Sequence, residues 1–410
     1  MTAVATRTPP GAPSGARRYV PPPAGLLPEP DLDPGFDPVA ELAREVLDPL
    51  PRSDQRRSGE LYLRGLLAAE GRKTLRNIAA STGRPADFQR LHHFVSDSTW
   101  DWGPVRRALA ALVDDAVRPA AWVVRATMTG RHGSGGVGVD PIVDPRTGRT
   151  VNGRRTAGLW LVTRNVGFPV NWRLILSSAW LDDPRRRARS GIPATATGGG
   201  STSCGIDMVL ETAGRWGVRR APVVLDARRS HVTGVVDALS ALELPYLLRI
   251  RGSQHVGPGV LPRSRSGTAA LVTARQLAAS GEGAAVVHAR SGLLGARREV
   301  ARHPCHTPAT RRARRPHVLL VERDPLRPQS ASYWLTNLTG HGTAALLWLA
   351  GAPVRVSRYE AVAGSGTGLH DFEGRSYAGW HRHVTLASAA HTALTLAGHR
   401  PHRTFAVAAR

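Results

Sequence analysis

Ala221-Pro-Val-Val-Leu-Asp226 is a short apolar run that ends in one acid, and a stretch with helical spacing, Val232 to Leu242, follows it. Uninterrupted apolar residues mark a strand covered on both faces, as the strands of parallel sheets are. Open α/β sheets put their sites at the C-terminal ends of such strands. Asp226 is therefore expected at the sheet's C-terminal edge, and other segments must bring it partners.

Outward from that strand, Tyr246 to Ile250 reads as the next one. Upstream, Ala120-Ala-Trp-Val-Val124, Thr156 to Val162 and Pro169 to Leu176 read as strands, the last two joined by a polar turn around Asn165. A meander followed by alternating strand and helix predicts a mixed sheet, hence an α/β (α+β) fold. Thr195 to Ser203 is a Gly/Ser/Thr loop and Ile206 to Trp216 a helix. Residues 251–315 lack clean periodicity apart from a helix near Thr273 to Ala279. They read as an insertion, partly strand, with solvated basic loops. His317 to Val321 and Tyr333 to Leu338 are strands, and Thr343 to Ala350 and Val384 to Leu396 are helices.

The N-terminal third differs. Residues 38–50 carry helical spacing (Val39, Leu42, Val46, Leu50), stopped by Pro51, and Gln55 to Val117 is mainly helical and strongly charged. Lys73 to Thr82 and Phe88 to Phe94 make two short helices broken by Gly83 and Pro85. A DNA-gripping helix-turn-helix and an ordinary helical subdomain fit them equally. Trp100 and Trp102 are expected to cap that subdomain's core. The expected division is a disordered leader over 1–37, a helical DNA-binding subdomain over 38–119, and the first part of the core over 120–250. The insertion covers 251–330 and the rest of the core 331–400.

The chain has 410 residues and 41% hydrophobic content, a globular proportion. It has no run of roughly 18 apolar residues, so no membrane span is expected. Met1 to Pro30 lacks the apolar segment of a signal peptide. With only Cys204 and Cys305, far apart, a reducing cytoplasm is expected, in association with the nucleoid. The net charge of +24 points to a polyanion partner, most simply nucleic acid. Lys73 is the one lysine; the remainder of the 55 basic residues are arginines. Guanidinium groups fork onto phosphate oxygens where lysine acts as a point charge.

Four strings, in collinear order over about residues 55–400, carry a resemblance. They are Tyr62-Leu-Arg-Gly-Leu-Leu67 with Gly71-Arg-Lys73, then Trp180-Leu-Asp-Asp-Pro-Arg-Arg-Arg closed by Gly191-Ile-Pro193. Tyr333-Trp-Leu-Thr-Asn-Leu338 follows. The strongest is Gly368-Leu-His-Asp-Phe-Glu-Gly-Arg-Ser-Tyr-Ala-Gly-Trp-His-Arg-His-Val-Thr385. Together they resemble the DDE transposases of bacterial insertion sequences of the IS seven-oh-one type. The resemblance implies an RNase H-like core, a mixed five-stranded sheet with helices on both sides. It also implies three acids holding two divalent metals, Mg²⁺ by preference, for cleavage and strand transfer at phosphodiesters. A homodimer is compatible with it.

Carried over position by position, the resemblance puts the second acid on Asp226. The first falls on Arg125, where the family's Asp-Asp-Thr becomes Arg125-Ala126-Thr127. The third falls on Ser357, within Val356-Ser357-Arg358. The Gly-Tyr that follows the second acid in the family is Arg228-Arg229 here. Two of three anionic ligands are thus absent and cations stand nearby. Within about 5 Å of a dication an arginine opposes binding by several kcal/mol at intermediate dielectric. The same groups suit phosphate oxygens directly. The expectation is a site converted from cutting DNA to holding it without metal; a metal, if one persisted, would rest on Asp226 alone.

Several alternatives compete. Glu360, one turn after Ser357, is either a migrated third acid or, the bland expectation, an exposed helix glutamate. Asp140 and Asp144 read as loop turns. Gly133-Ser-Gly-Gly-Val-Gly138 fits a dinucleotide fingerprint in letters only, because no helix follows it. His303, Cys305 and His306 match no zinc spacing and read as a surface loop. His381 and His383 pack or touch DNA. The runs Arg185, Arg186 and Arg187 and Arg311, Arg312, Arg314 and Arg315 are solvated faces or phosphate contacts.

Overall fold

A computed structural model describes residues 37–84, 86–144, 147–259, 271–281, 285–291, 296–307 and 316–398. All but the last residue of the expected leader lies outside them, as do Arg311, Arg312, Arg314 and Arg315.

Asp37 caps the first helix, α1 (Pro38–Val46), by accepting from the N–H groups of Val39 and Ala40, with Pro38 in the position where its missing N–H costs nothing. Then come α2 (Ser53–Ala68), α3 (Leu75–Ala80), α4 (Asp87–His92) with a π-turn over His93–Asp97, and α5 (Trp102–Val117). Six residues each, α3 and α4 are about 9 Å long at 1.5 Å per residue. Trp100 stacks on Phe94 at 5.2 Å and donates to its carbonyl, which closes the small helical core as expected.

The sheet begins with β1 (Ala121–Gly130), β2 (Val139–Val143), β3 (Thr150–Val162) and β4 (Gly167–Leu174). The β3–β4 turn is built by Thr163, whose Oγ1 accepts from the N–H groups of Asn165 and Val166. After α6 (Ser178–Leu181), α7 (Pro184–Arg189) and α8 (Ser201–Arg215) comes β5 (Val223–Asp226), then α9 (Val232–Ala241) and β6 (Tyr246–Ile250). Val223, Val224 and Leu225 are at most 2% exposed, the two-sided burial that their apolar run foretold. β1 and β3 are antiparallel, β3 and β4 antiparallel, and β5 runs parallel to both β1 and β6. The resulting order β4-β3-β1-β5-β6 is the RNase H-like core that the resemblance implies.

The insertion is partly strand and carries a helix near Thr273, as expected, but it is not separate from the main sheet. It contains β7 (His255–Pro258), β8 (Val272–Thr273), α10 (Ala274–Ser280), β9 (Ala285–Ser291) and β10 (Ala296–His306). With β11 (Pro316–Asp324) and β12 (Arg327–Thr336) these strands continue the main sheet beyond β6 in the order β12-β11-β10-β7-β8, giving a 12-stranded sheet. His303, Cys305 and His306 are therefore not on a surface loop. They lie in β10, buried to 1%, 3% and 7% exposure, because the sheet's faces are covered there. Asp140 likewise lies within β2, paired with Gly153, rather than in a loop turn.

Three helices end the described chain: α11 (Thr343–Ala350), α12 (Ala352–Thr367) and α13 (Tyr377–Ala397). α8 and α12 cover opposite faces of the central strands. Gly205 on α8 faces Val124 and Leu225, and a Cβ there would stand 2.5 Å from Val124, so only glycine lets the helix come this close. α12 ends at Gly368, whose φ of +64° is the left-handed cap that side chains resist. α13 is buried along nearly its whole length, against β4 on one side and α1, α2 and α5 on the other. It opens on the strongest of the four sequence strings.

Candidate functional site

The three positions singled out in the sequence sit on β1, on β5 and on α12. β1 and β5 pair in register at Val123 and Val224, so two residues on, Arg125 stands beside Asp226 on the same face. That face carries α12, since Val124 and Leu225 turn the other way toward α8. Arg125 Nη2 donates to Ser357 Oγ at 3.2 Å. Positions 125, 226 and 357 thus gather at one strand end.

Only one of the three is acidic, and it is engaged. Arg228 folds back on Asp226, with Nη2 2.6 Å from Oδ2 and Nε 3.0 Å from Oδ1, and its backbone N–H also donates to Oδ1. The next strand brings Arg249 into register with Asp226. Half-burial would raise the Asp226 carboxyl's pKa, but the Arg228 hydrogen bonds outweigh it, Arg249 adds to them, and the group is held below the usual carboxylate range.

Glu360 corrects the expectation of an exposed helix acid. It is 4% exposed and aimed at the sheet. Its Oε2 accepts from Arg125 Nε at 2.5 Å and from Thr127 Oγ1 at 2.9 Å. His370 Nε2 lies 3.3 Å from the other oxygen, an ion-pair distance outside hydrogen-bond geometry. Burial pushes its pKa upward; His370, Thr127 and Arg125 together overcome that and lower it. Arg125 is consequently spent on Glu360 and Ser357 rather than open to an incoming phosphate. The signal was available: residues three apart share a helix face, so a site-facing Ser357 implies a site-facing Glu360.

A pair of divalent ions needs several hard oxygen donors. This donor set does not fit them. Asp226 is forked by Arg228, a guanidinium occupies the first position, a hydroxyl the third, and Glu360 is neutralised by Arg125. Among the described residues no group of three His, Cys, Asp or Glu side chains converges on an ion position.

His381 and His383 of the last string are packing groups. His383 accepts from Tyr62 Oη through Nδ1 and donates from Nε2 to the Gly368 carbonyl, both at 2.8 Å. His381 stacks on Trp102 at 4.6 Å and sits 3.0 Å from Arg106 Nη2. Both are buried, and burial lowers both pKa values, that of His383 to about 4. The same string ties down the N-terminal helices: Asp371 accepts from the Lys73 N–H at 2.8 Å, and Glu373 pairs with Arg72 at 2.9 Å. Sequence reasoning missed Arg106, which is 1% exposed and donates to Thr385, Asn171 and the Trp172 carbonyl. Burial pushes its pKa down to about 9. Among so many arginines nothing in the sequence marks this one as buried.

The run at 185–187 divides. Arg187 caps the carbonyls of Pro193, Ala194 and Ala196, and Arg186 lies over the Trp180 ring at 3.7 Å, so both are structural. Arg185 is exposed, as is Arg229.

A sheet ordered β4-β3-β1-β5-β6, with its candidate residues on β1, β5 and a C-terminal helix, is the scaffold of an RNase H-like nuclease. The family model for the DDE superfamily endonucleases matches residues 45–281, more than half the chain, and the protein belongs to that family. No curated protein matches the chain. The family acts on DNA and typically uses divalent metal ions. No helix among the described residues is long and apolar enough to cross a membrane.

Proposed function

We propose that this is a transposase-family protein of an IS seven-oh-one-type insertion sequence that binds double-stranded DNA across the strand end at Asp226, and that its metal-dependent cleavage has been lost. The observation behind this is the meeting of positions 125, 226 and 357 with a single carboxylate among them, itself paired with Arg228. The overall charge of +24 favours a phosphate backbone as the partner. Arg185 and Arg228 are exposed and are the contacts proposed for it, Arg228 through the Nη1 that Asp226 leaves unbonded, whereas Arg229 lines the other face of the sheet. Arg186 and Arg187 drop out because their guanidinium groups are already used. The helical subdomain over 38–119 is proposed to add to the grip, through its charged outer surface rather than through α3 or α4 as a recognition helix.

A second reading, a DNA-binding regulator on the same scaffold, differs in sequence preference. A gel-shift series over salt concentration tests both. Binding that weakens steeply with salt supports the backbone grip, and a strong preference for one sequence supports the regulator. Absence of binding at low salt would refute both.

A further inference from the structure

The face of the sheet opposite Asp226 holds a cavity of about 670 Å³. Its floor is apolar, from Met128, Ile175, Leu176 and Ile206, and its rim is polar. Arg155 from β3 and Arg229 from the β5–α9 turn both line it. Neither arginine has an acid within ion-pair distance among the described residues, unlike Arg125, Arg173 or Arg228 on the same core. One carboxylate, Asp207, stands in the wall. Two unpaired cations against one acid, in a concave site, favour an anion.

The wall also contains Gly199, Gly200, Ser201, Thr202 and Ser203, where α8 starts. Gly200 caps that helix without a side chain, so the opening N–H groups are left for another acceptor. Alone, this helix end would mean little; here it opens on a cavity already furnished with two guanidinium groups. The volume falls within the usual range for small-molecule sites, roughly 300–1,000 Å³, and is far more than one phosphate fills. A rigid duplex is too wide to enter.

We infer that this cavity binds a single nucleoside monophosphate unit, with its phosphate at Arg155, Arg229 and the start of α8 and its base on the apolar floor. Asp207 accepts a hydrogen bond from a sugar hydroxyl or a base amino group. The unit is either a free nucleotide or the unpaired, phosphorylated end of a DNA strand. The cavity lies across the sheet from Arg125, Ser357 and Glu360 and does not depend on the duplex grip proposed above.

Calorimetry with the full chain tests this, using dAMP, deoxyadenosine, and a short duplex with a one-nucleotide 5′-phosphorylated overhang. Saturable uptake of dAMP but not of deoxyadenosine is expected, and Arg155→Met and Arg229→Met should each weaken it at least tenfold with the circular dichroism spectrum unchanged. If the overhang duplex competes with dAMP, the strand end is the source; if it does not, the free nucleotide is. No saturable uptake of either probe, or equal uptake by the Arg155→Met/Arg229→Met double variant, would overturn the inference. A blunt, unphosphorylated duplex reports the Asp226 face separately. Its failure to bind would remove the duplex grip and leave the cavity standing, whereas dAMP failure with intact duplex binding would do the reverse.

Discussion

Replacing Arg125 with methionine should cost about 2–4 kcal/mol of stability. Removing one partner of a buried ion pair costs roughly 3–5 kcal/mol, because the other charge is stranded. Glu360 is that other charge, with its side chain 5% exposed against 29% for Arg125. Thr127 and His370 still flank the carboxylate, which moves the cost to the lower end of that range and somewhat below it. Glu360→Met should cost less, about 1–2 kcal/mol, since the Arg125 side chain it strands is 29% exposed and retains access to water. An Arg125→Met/Glu360→Met double variant should return close to the parent, because an apolar pair can replace a buried ion pair without loss. Because the double variant is near zero, the coupling equals the sum of the two single costs, about 3–6 kcal/mol. Urea unfolding followed by circular dichroism at unchanged m-value measures all four proteins. The lowered Glu360 pKa gives a sign for pH: its contribution is complete above the unfolded value near 4.5 and is lost as pH falls through the still lower folded value. An Arg125→Met variant within about 0.5 kcal/mol of the parent, with additive effects, would refute the pairing as a source of stability.

Asp226→Ala should leave DNA affinity unchanged or raise it, since it removes a negative charge and frees Arg228; a marked fall in a gel-shift titration would contradict a metal-free phosphate grip. Installing Arg125→Asp with Ser357→Glu should restore Mg²⁺ uptake seen by calorimetry, because those side chains meet beside Asp226; no uptake would count against the assignment of the three positions. Acidification should destabilise the fold between about pH 6.5 and pH 4, where the unfolded chain protonates His383 and His391, the latter buried on α13 against the Gly167 carbonyl, and the folded one, with both near 4, does not. The loss is up to roughly 3 kcal/mol for each histidine. Equal stability at pH 7 and pH 5 would show that these rings are not buried neutral groups.

The strand ending in Asp226 was legible because a parallel strand covered on both faces leaves an unbroken apolar run. α10 and α13 were legible for the matching reason of helical period. The insertion was not: β9 and β10 are built from Arg, His, Glu and Pro as well as valine, so no alternation marks their pairing or their place in the main sheet. Glu360 has the residue type of an exposed helix position, but its spacing of three from Ser357 puts it on the face of α12 that meets β1. Arginine roles were the least legible. The same residue type caps carbonyls at Arg187, fills the interior at Arg106 and Arg154, pairs with acids at Arg125 and Arg228, and lines a cavity at Arg155 and Arg229. Only three-dimensional neighbours separate those roles.

The proposed loss of cleavage is tested most directly by incubating the full chain with end-labelled duplex DNA and Mg²⁺ or Mn²⁺, at salt low enough for complete binding. We expect retarded but intact DNA. Strand breaks that vanish in the Asp226→Ala variant would contradict the account and make this strand end a working nuclease centre.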